Sequence, residues 1–208
     1  MDFLFPLKSI VLASAAVCLT GLVWQVVRTL RFGRRNDPSA PAGSAMVGVF
    51  YAFGAGMAPW AKESARAHLP TWFAGVLYHL GVFTAFILLG LTVVEIPWPA
   101  PAAWPLRAVL ALGLASGLGL FAKRLISPAL VSISCPDDFA SNLMVDGFLA
   151  LALDATWEAA VPSFLIWGAA LLLYIPIGKI RHCFFFFYTR ILFGRFFGRR
   201  AVLPEGRA

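Results

Sequence analysis

Residues Leu69–Leu91 read LPTWFAGVLYHLGVFTAFILLGL. The run contains no Lys, Arg, Asp or Glu, and about 20 apolar residues suffice to cross a bilayer as a helix. It nevertheless carries His79 near its middle. An imidazole at bilayer depth is costly unless a partner satisfies it, so His79 is read as a candidate functional residue whose partner must be found.

The rest of the chain agrees with a membrane setting. Of the 208 residues, 60% are hydrophobic and only 13% charged, and the mean hydropathy is +0.81. These values lie far from those of a soluble domain. The expected fold is all-α: an integral membrane bundle of five transmembrane helices, with no separate soluble domain. The three cysteines, Cys18, Cys135 and Cys183, form no C-x-x-C, C-x-x-C-H or ferredoxin-type run. An iron–sulfur cluster and a covalently attached haem held by this chain alone are therefore not expected.

Working outward from Leu69, the first span is placed at about Ser9 to Val27. Its positive charges, Arg28, Arg31, Arg34 and Arg35, follow the apolar core, which argues for an uncleaved anchor with its N-terminus outside. The linker RRNDPSAPAGSA and the Gly-rich run MVGVFYAFGAG come next; the latter is too short to span and suits an interfacial or re-entrant segment. The second span, about Pro70 to Glu95, exits at the Pro- and Trp-rich loop IPWPAPAAWP. A third span, about Leu106 to Phe121, contains GLASGLGL, whose small residues allow close helix approach. The fourth, about Leu143 to Trp157, is short and holds Asp146 and Asp154. Pro162 and SFLIWGAALLLYIPI open the fifth, which ends near Lys179, Arg181 and His182. Residues 1–185 are thus expected to form the membrane domain and 186–208 a basic, aromatic cytoplasmic tail lying amphipathically in the interface.

With five spans and the N-terminus outside, fifteen cations fall on the cytoplasmic side and only Lys8 and Arg107 outside, as the positive-inside rule requires. The C-terminus is then cytoplasmic. Topology and anionic lipid account for the net charge of +7, and nucleic acid is not an expected partner. His79 falls about 15 Å inside the cytoplasmic start of its span. His182 lies near the cytoplasmic end of the fifth, and the depths of the two overlap if that helix tilts or continues past His182.

Two imidazoles in overlapping layers of two helices point to the axial ligation of one b-type haem, with metal coordination satisfying their polarity. The competing reading is that each histidine only hydrogen-bonds to a neighbouring helix. Lys123, Arg124, Lys179 and Arg181 are candidates for the haem propionates, against simple positive-inside anchoring. His68, at the water boundary, suits a solvated or quinone-facing role. Asp146 suits either a proton path or a helix N-terminal acid. No nucleophile triad, P-loop or zinc motif is present, and a transporter is disfavoured by the lack of an inverted repeat.

The order and spacing of LYHLG in the second helix, FAKRLISP closing the third and IPIGKIRHCF ending the fifth resemble the gamma subunit of respiratory nitrate reductase. The same family includes the membrane cytochrome b subunits of sulfite reductase-linked and heterodisulfide reductase-linked complexes. The resemblance implies a subunit that carries electrons between membrane quinone, for example menaquinone, and a cytoplasmic iron–sulfur subunit of heterodisulfide reductase-like or ferredoxin-like type. It implies residence in a bacterial or archaeal cytoplasmic membrane. His79 and His182 match the proximal haem ligands. The distal positions of diheme relatives fall near Leu89 and Phe164, which cannot bind iron, so one haem b is expected. Quinone is then expected beside the proximal haem near His68, with Arg107 and Asp146 as further candidates. A haem-free anchor or assembly subunit is the alternative.

Overall fold

The computed structural model describes residues 4–32 and 39–203. Arg34, Arg35 and Arg207, counted above among the cytoplasmic cations, lie outside the described residues. Among the described residues the chain is all-helical, with no strand. In chain order the helices are α1 (Phe5–Arg31), α2 (Ala45–Phe53), α3 (Glu63–Ala67), α4 (Leu69–Val93), α5 (Ala103–Ile126), α6 (Pro128–Ser132), α7 (Pro136–Ala155), α8 (Val161–Tyr174) and α9 (His182–Arg199). Short 3-10 turns fill parts of the connections.

Three helical stretches are long and apolar enough to cross a membrane: Phe5–Arg31, Leu69–Val93 and Ala100–Ile126. A fourth arises if Val161–Tyr174 and Lys179–Arg199 together count as one broken span. The sequence-expected fourth span is a 20-residue helix, α7, but Asp137, Asp138, Asp146 and Asp154 make it too polar to rank with the others. The fifth differs as well. α8 stops at Tyr174 after 14 residues, about 21 Å of helix, less than the roughly 30 Å hydrocarbon thickness. Pro176 has no N–H to continue the ladder, and the N–H groups of Ile177 and Gly178 turn back to the Tyr174 carbonyl at 3.1 and 2.8 Å. The chain restarts as α9 at His182, so the helix entered at Pro162 does not run on past His182. MVGVFYAFGAG contributes a nine-residue helix, capped by Ser44, whose Oγ accepts the Val47 N–H.

The chain divides into two compact units, one of Met1–Val23 and Phe73–Ile180 and the other of Trp24–Trp72 and Arg181–Ala208. The second unit recruits residues preceding α4, because α2 and α9 pack on each other.

In the first unit, α4, α5, α7 and α8 bury a core that includes Leu88, Leu110, Phe148, Leu149, Phe164, Leu165 and Leu171, each under 2% exposed. Val11 of α1 joins it. Phe148 stacks on Phe164 with ring centres 5.3 Å apart. The closest approach is between glycines: a Cβ on Gly81 of α4 would lie 2.8 Å from the Gly113 Cα of α5, and one on Gly113 would lie 2.7 Å from the Gly81 Cα. Helices in lipid gain nothing from excluding water, so such contact, worth dispersion energy, holds them together. Two residues past the end of α4, Glu95 has a φ of 61°, which puts a non-glycine residue in the left-handed region. There Ile96 N–H reaches the Leu91 carbonyl at 3.0 Å, and buried Lys8 of α1 bonds the Glu95 carboxylate at 2.8 Å.

In the second unit α2 crosses α9 through Gly48, Gly194 and Gly198; a Cβ on Gly198 would lie 2.6 Å from the Gly48 Cα. Phe53 of α2 meets Phe186 and Phe187 of α9 with ring centres 6.3 and 6.1 Å apart. Arg190 and Arg200 lie over the rings of Phe186 and Phe196, the mixed aromatic and basic pattern of an interfacial helix.

Gly113→Leu should force α4 and α5 apart and destabilise the chain by roughly 1–3 kcal/mol. Gly119→Leu, with open space at its Cβ, should change little. Thermal unfolding of the two variants in detergent checks the difference.

Candidate functional site

His79 projects from the third turn of α4 and is exposed. Its Nδ1 lies 2.7 Å from the Gly75 carbonyl one turn earlier. A carbonyl only accepts, so Nδ1 must carry the proton, and the lone pair of the neutral ring then resides on Nε2. The rings of Tyr78 and Phe83 lie 6.3 Å from its centre on either side. Along the same helix Val76, Leu80, Phe83 and Ile87 are also exposed, so His79 interrupts an otherwise apolar outer surface.

His182 is the first residue of α9 and is exposed, preceded by exposed Arg181. It belongs to the second unit and His79 to the first. His68 is exposed between α3 and α4, where its carbonyl accepts the Trp72 N–H at 3.1 Å. Among the described residues no three His, Cys, Asp or Glu side chains gather in a group able to hold a metal ion; a bis-imidazole site requires only two.

The cations expected at haem propionates are in different situations. Arg124 and Lys179 both meet Asp138: Lys179 Nζ donates to Oδ2 at 2.6 Å, and Arg124 stands 3.7 Å from Oδ1 while donating to Ser134 Oγ at 2.9 Å. The neighbouring Asp137 accepts from the Lys179 backbone N–H at 2.8 Å and from the Tyr174 hydroxyl. This clamp joins the end of α5, the start of α7 and the end of α8. It arises because SISCPDDFASN begins α7 with a capping box in which Asp138 accepts the Cys135 N–H at 2.9 Å. Lys123 is exposed near the end of α5.

Arg107, a quinone candidate from sequence, is committed to the other end of α7. Its Nε and Nη2 donate to the Thr156 hydroxyl and carbonyl at 3.0 and 2.8 Å. The guanidinium also lies over the rings of Trp157 and Trp104, 4.4 and 5.5 Å from their centres. A cation on the last carbonyls of a helix complements its dipole.

Asp146 is not at a helix N-terminus. It sits in the middle of α7 and is 4% exposed. Asn142, one turn earlier, donates from Nδ2 to its Oδ2 at 2.8 Å, with the Tyr78 hydroxyl at 3.4 Å and the Gly117 carbonyl at 3.5 Å from the same nitrogen. Asp146 Oδ1 is buried and accepts no well-formed hydrogen bond, though the Tyr78 side chain lies near enough to interact with the carboxylate. Asn142 and Tyr78 are the residues that sequence reasoning missed. The i, i+4 spacing of Asn142 and Asp146 was a legible signal; Tyr78 was hidden by its place in an apolar run.

Comparison with protein-family models, curated proteins and solved structures finds no match.

The Lys179 ammonium and the Cys135 N–H hold the Asp138 carboxyl down at about 2. A depressed folded-state value means that the clamp's contribution is full above the ordinary carboxylate value and is lost as pH falls through about 2. Asp138→Asn should therefore cost roughly 1–2 kcal/mol near pH 6, with the difference from wild type shrinking towards pH 2. Denaturation midpoints of both forms across that range test the sign.

Proposed function

We propose that this chain is a membrane cytochrome b subunit that carries electrons between the quinone pool and a cytoplasmic iron–sulfur partner, through one b-type haem with His79 and His182 as axial ligands. The observation that carries the reading is the His79 ring. Its Nδ1–H bonds the Gly75 carbonyl, which orients the imidazole and leaves Nε2 as the basic nitrogen, as metal-ligating histidines are commonly held. Its position among the exposed apolar residues of α4 supports a functional role for this imidazole.

When bound, haem iron supplies a one-electron carrier whose potential is set by its axial ligands and the surrounding polarity. The chain's own part is to hold His79 in one tautomer, to flank it with Tyr78 and Phe83, and to exclude water with the apolar residues of α4. Lys123 and Arg181 are exposed propionate candidates; Arg124 and Lys179 share Asp138. Quinone is assigned to the cytoplasmic half near His68, since Arg107 is engaged with Thr156.

The accompanying topology is five spans with the N-terminus outside and the C-terminus in the cytoplasm of a bacterium or archaeon, supported by the distribution of Lys and Arg. The iron–sulfur partner is of heterodisulfide reductase-like or ferredoxin-like type. The resemblance to nitrate reductase gamma subunits rests on the motifs LYHLG, FAKRLISP and IPIGKIRHCF.

One observation favours a second reading, a haem-free anchor or assembly subunit of a redox complex: two of the four propionate candidates already have a carboxylate within the chain. An absorption spectrum of the purified chain decides between them. A six-coordinate b-type signal with one haem per chain is expected, lost in both His79→Ala and His182→Ala. Absence of pigment from a folded, haem-supplied preparation refutes the cytochrome, and two haems per chain refute the single-haem assignment.

A further inference from the structure

Where α4, α5 and α7 meet, the chain buries a carboxylate that electron transfer does not use. Asp146 Oδ2 accepts the Asn142 amide, and Oδ1 is buried without a well-formed hydrogen bond. The groups facing it can be named from each packed element. α4 presents the Tyr78 side chain, α5 presents Gly117 with its backbone carbonyl, and α7 itself presents Asn142. α8 lies against α7 through Trp167, which packs on Gly147 and donates to the Met144 carbonyl at 2.8 Å. Of these only Tyr78 is titratable, and none is a cation.

An ionised carboxylate buried without a cation is strongly disfavoured, and a protein relieves the cost by binding a positive ion or a proton. A metal ion does not suit the seam. Oδ1 presses against Gly117, where a Cβ would collide with both Asp146 Oδ1 and the Tyr78 ring, so no ion-sized space remains on that side. Asn142 turns its amide nitrogen towards the three oxygens of Asp146, Tyr78 and Gly117, filling with a donor the position that a cation would take. A proton needs no volume of its own.

We propose that Asp146 is a proton-binding site inside the bundle, taking one proton from water onto Oδ1 and holding it as the neutral carboxylic acid while Asn142 occupies Oδ2. One O–H bond forms on Oδ1 as one breaks in a hydronium ion of the aqueous phase, which is released as water, and nothing is oxidised or reduced. The Asn142 contact decides which oxygen carries the proton, and Gly117, lacking a Cβ, leaves room for Oδ1 itself. The site does not depend on the haem reading.

The test is infrared difference spectroscopy of the full chain in detergent at neutral pH, wild type minus Asp146→Asn. The wild type should show the carbonyl-stretch band of a protonated carboxylic acid, shifted in heavy water and lost in the variant. Loss of an ionised-carboxylate band in its place would overturn the proposal. Because the variant can disturb folding, wild-type chain labelled with carboxyl-13C aspartate gives an independent reading. One of the six aspartates should have the carbon shift of a protonated acid, and six ionised aspartates would overturn the site. Sodium or potassium should leave the band unchanged; its removal by either ion would assign the site to that metal and refute the proton. A chain that keeps the band but lacks pigment refutes only the cytochrome reading.

Discussion

Close backbone contact at glycine is the constraint on which the arrangement rests. Gly81 and Gly113 bring α4 and α5 together at a distance that forbids any side chain between them, and only then can Tyr78, one turn before Gly113's partner, reach across to the seam with α7. Gly117, one turn after Gly113, leaves the recess against which Asp146 lies. In a lipid setting such contacts do the work that exclusion of water does in soluble proteins. The same device recurs in the second unit, where Gly48, Gly194 and Gly198 form the crossing of α2 and α9.

Three layers of polar contacts lie along α7 in the first unit. At its start Asp137 and Asp138 collect Lys179, Arg124 and the Tyr174 hydroxyl. In its middle Asp146 meets Asn142, Tyr78 and Gly117. At its end Thr156 receives Arg107. The two outer layers pair opposite charges or cap a helix end, which are ordinary ways of settling polar groups. The middle layer lacks a cation, which sets it apart chemically and explains why it carries the proton assignment.

His79 occupies a different face of α4 from this polar column. It is exposed where Tyr78 is half-buried, so adjacent residues of one helix serve two separate purposes. One ring is aimed outward with its tautomer fixed by Gly75, and the other hydroxyl is aimed inward to the seam. The electron-transfer reading and the proton-binding reading thus draw on different faces of the same helix and are tested separately.

By itself the sequence determined the helical class and the presence of helices apolar enough for a membrane, because composition and an uninterrupted apolar run act through local physics: helix propensity, backbone satisfaction and the cost of a polar atom in hydrocarbon. GLASGLGL likewise announced a close helix contact. Only the tertiary structure decided what is non-local. It ended α8 at Tyr174 through the turn at Pro176, engaged Arg107 with Thr156 and gave Asp138 to Arg124 and Lys179. It also placed Tyr78 beside Asn142 and Asp146. These partners are separated by 14 residues (Arg124 and Asp138) to 68 residues (Tyr78 and Asp146) along the chain, and hydrophobic periodicity carries no information about which polar groups meet once the helices pack.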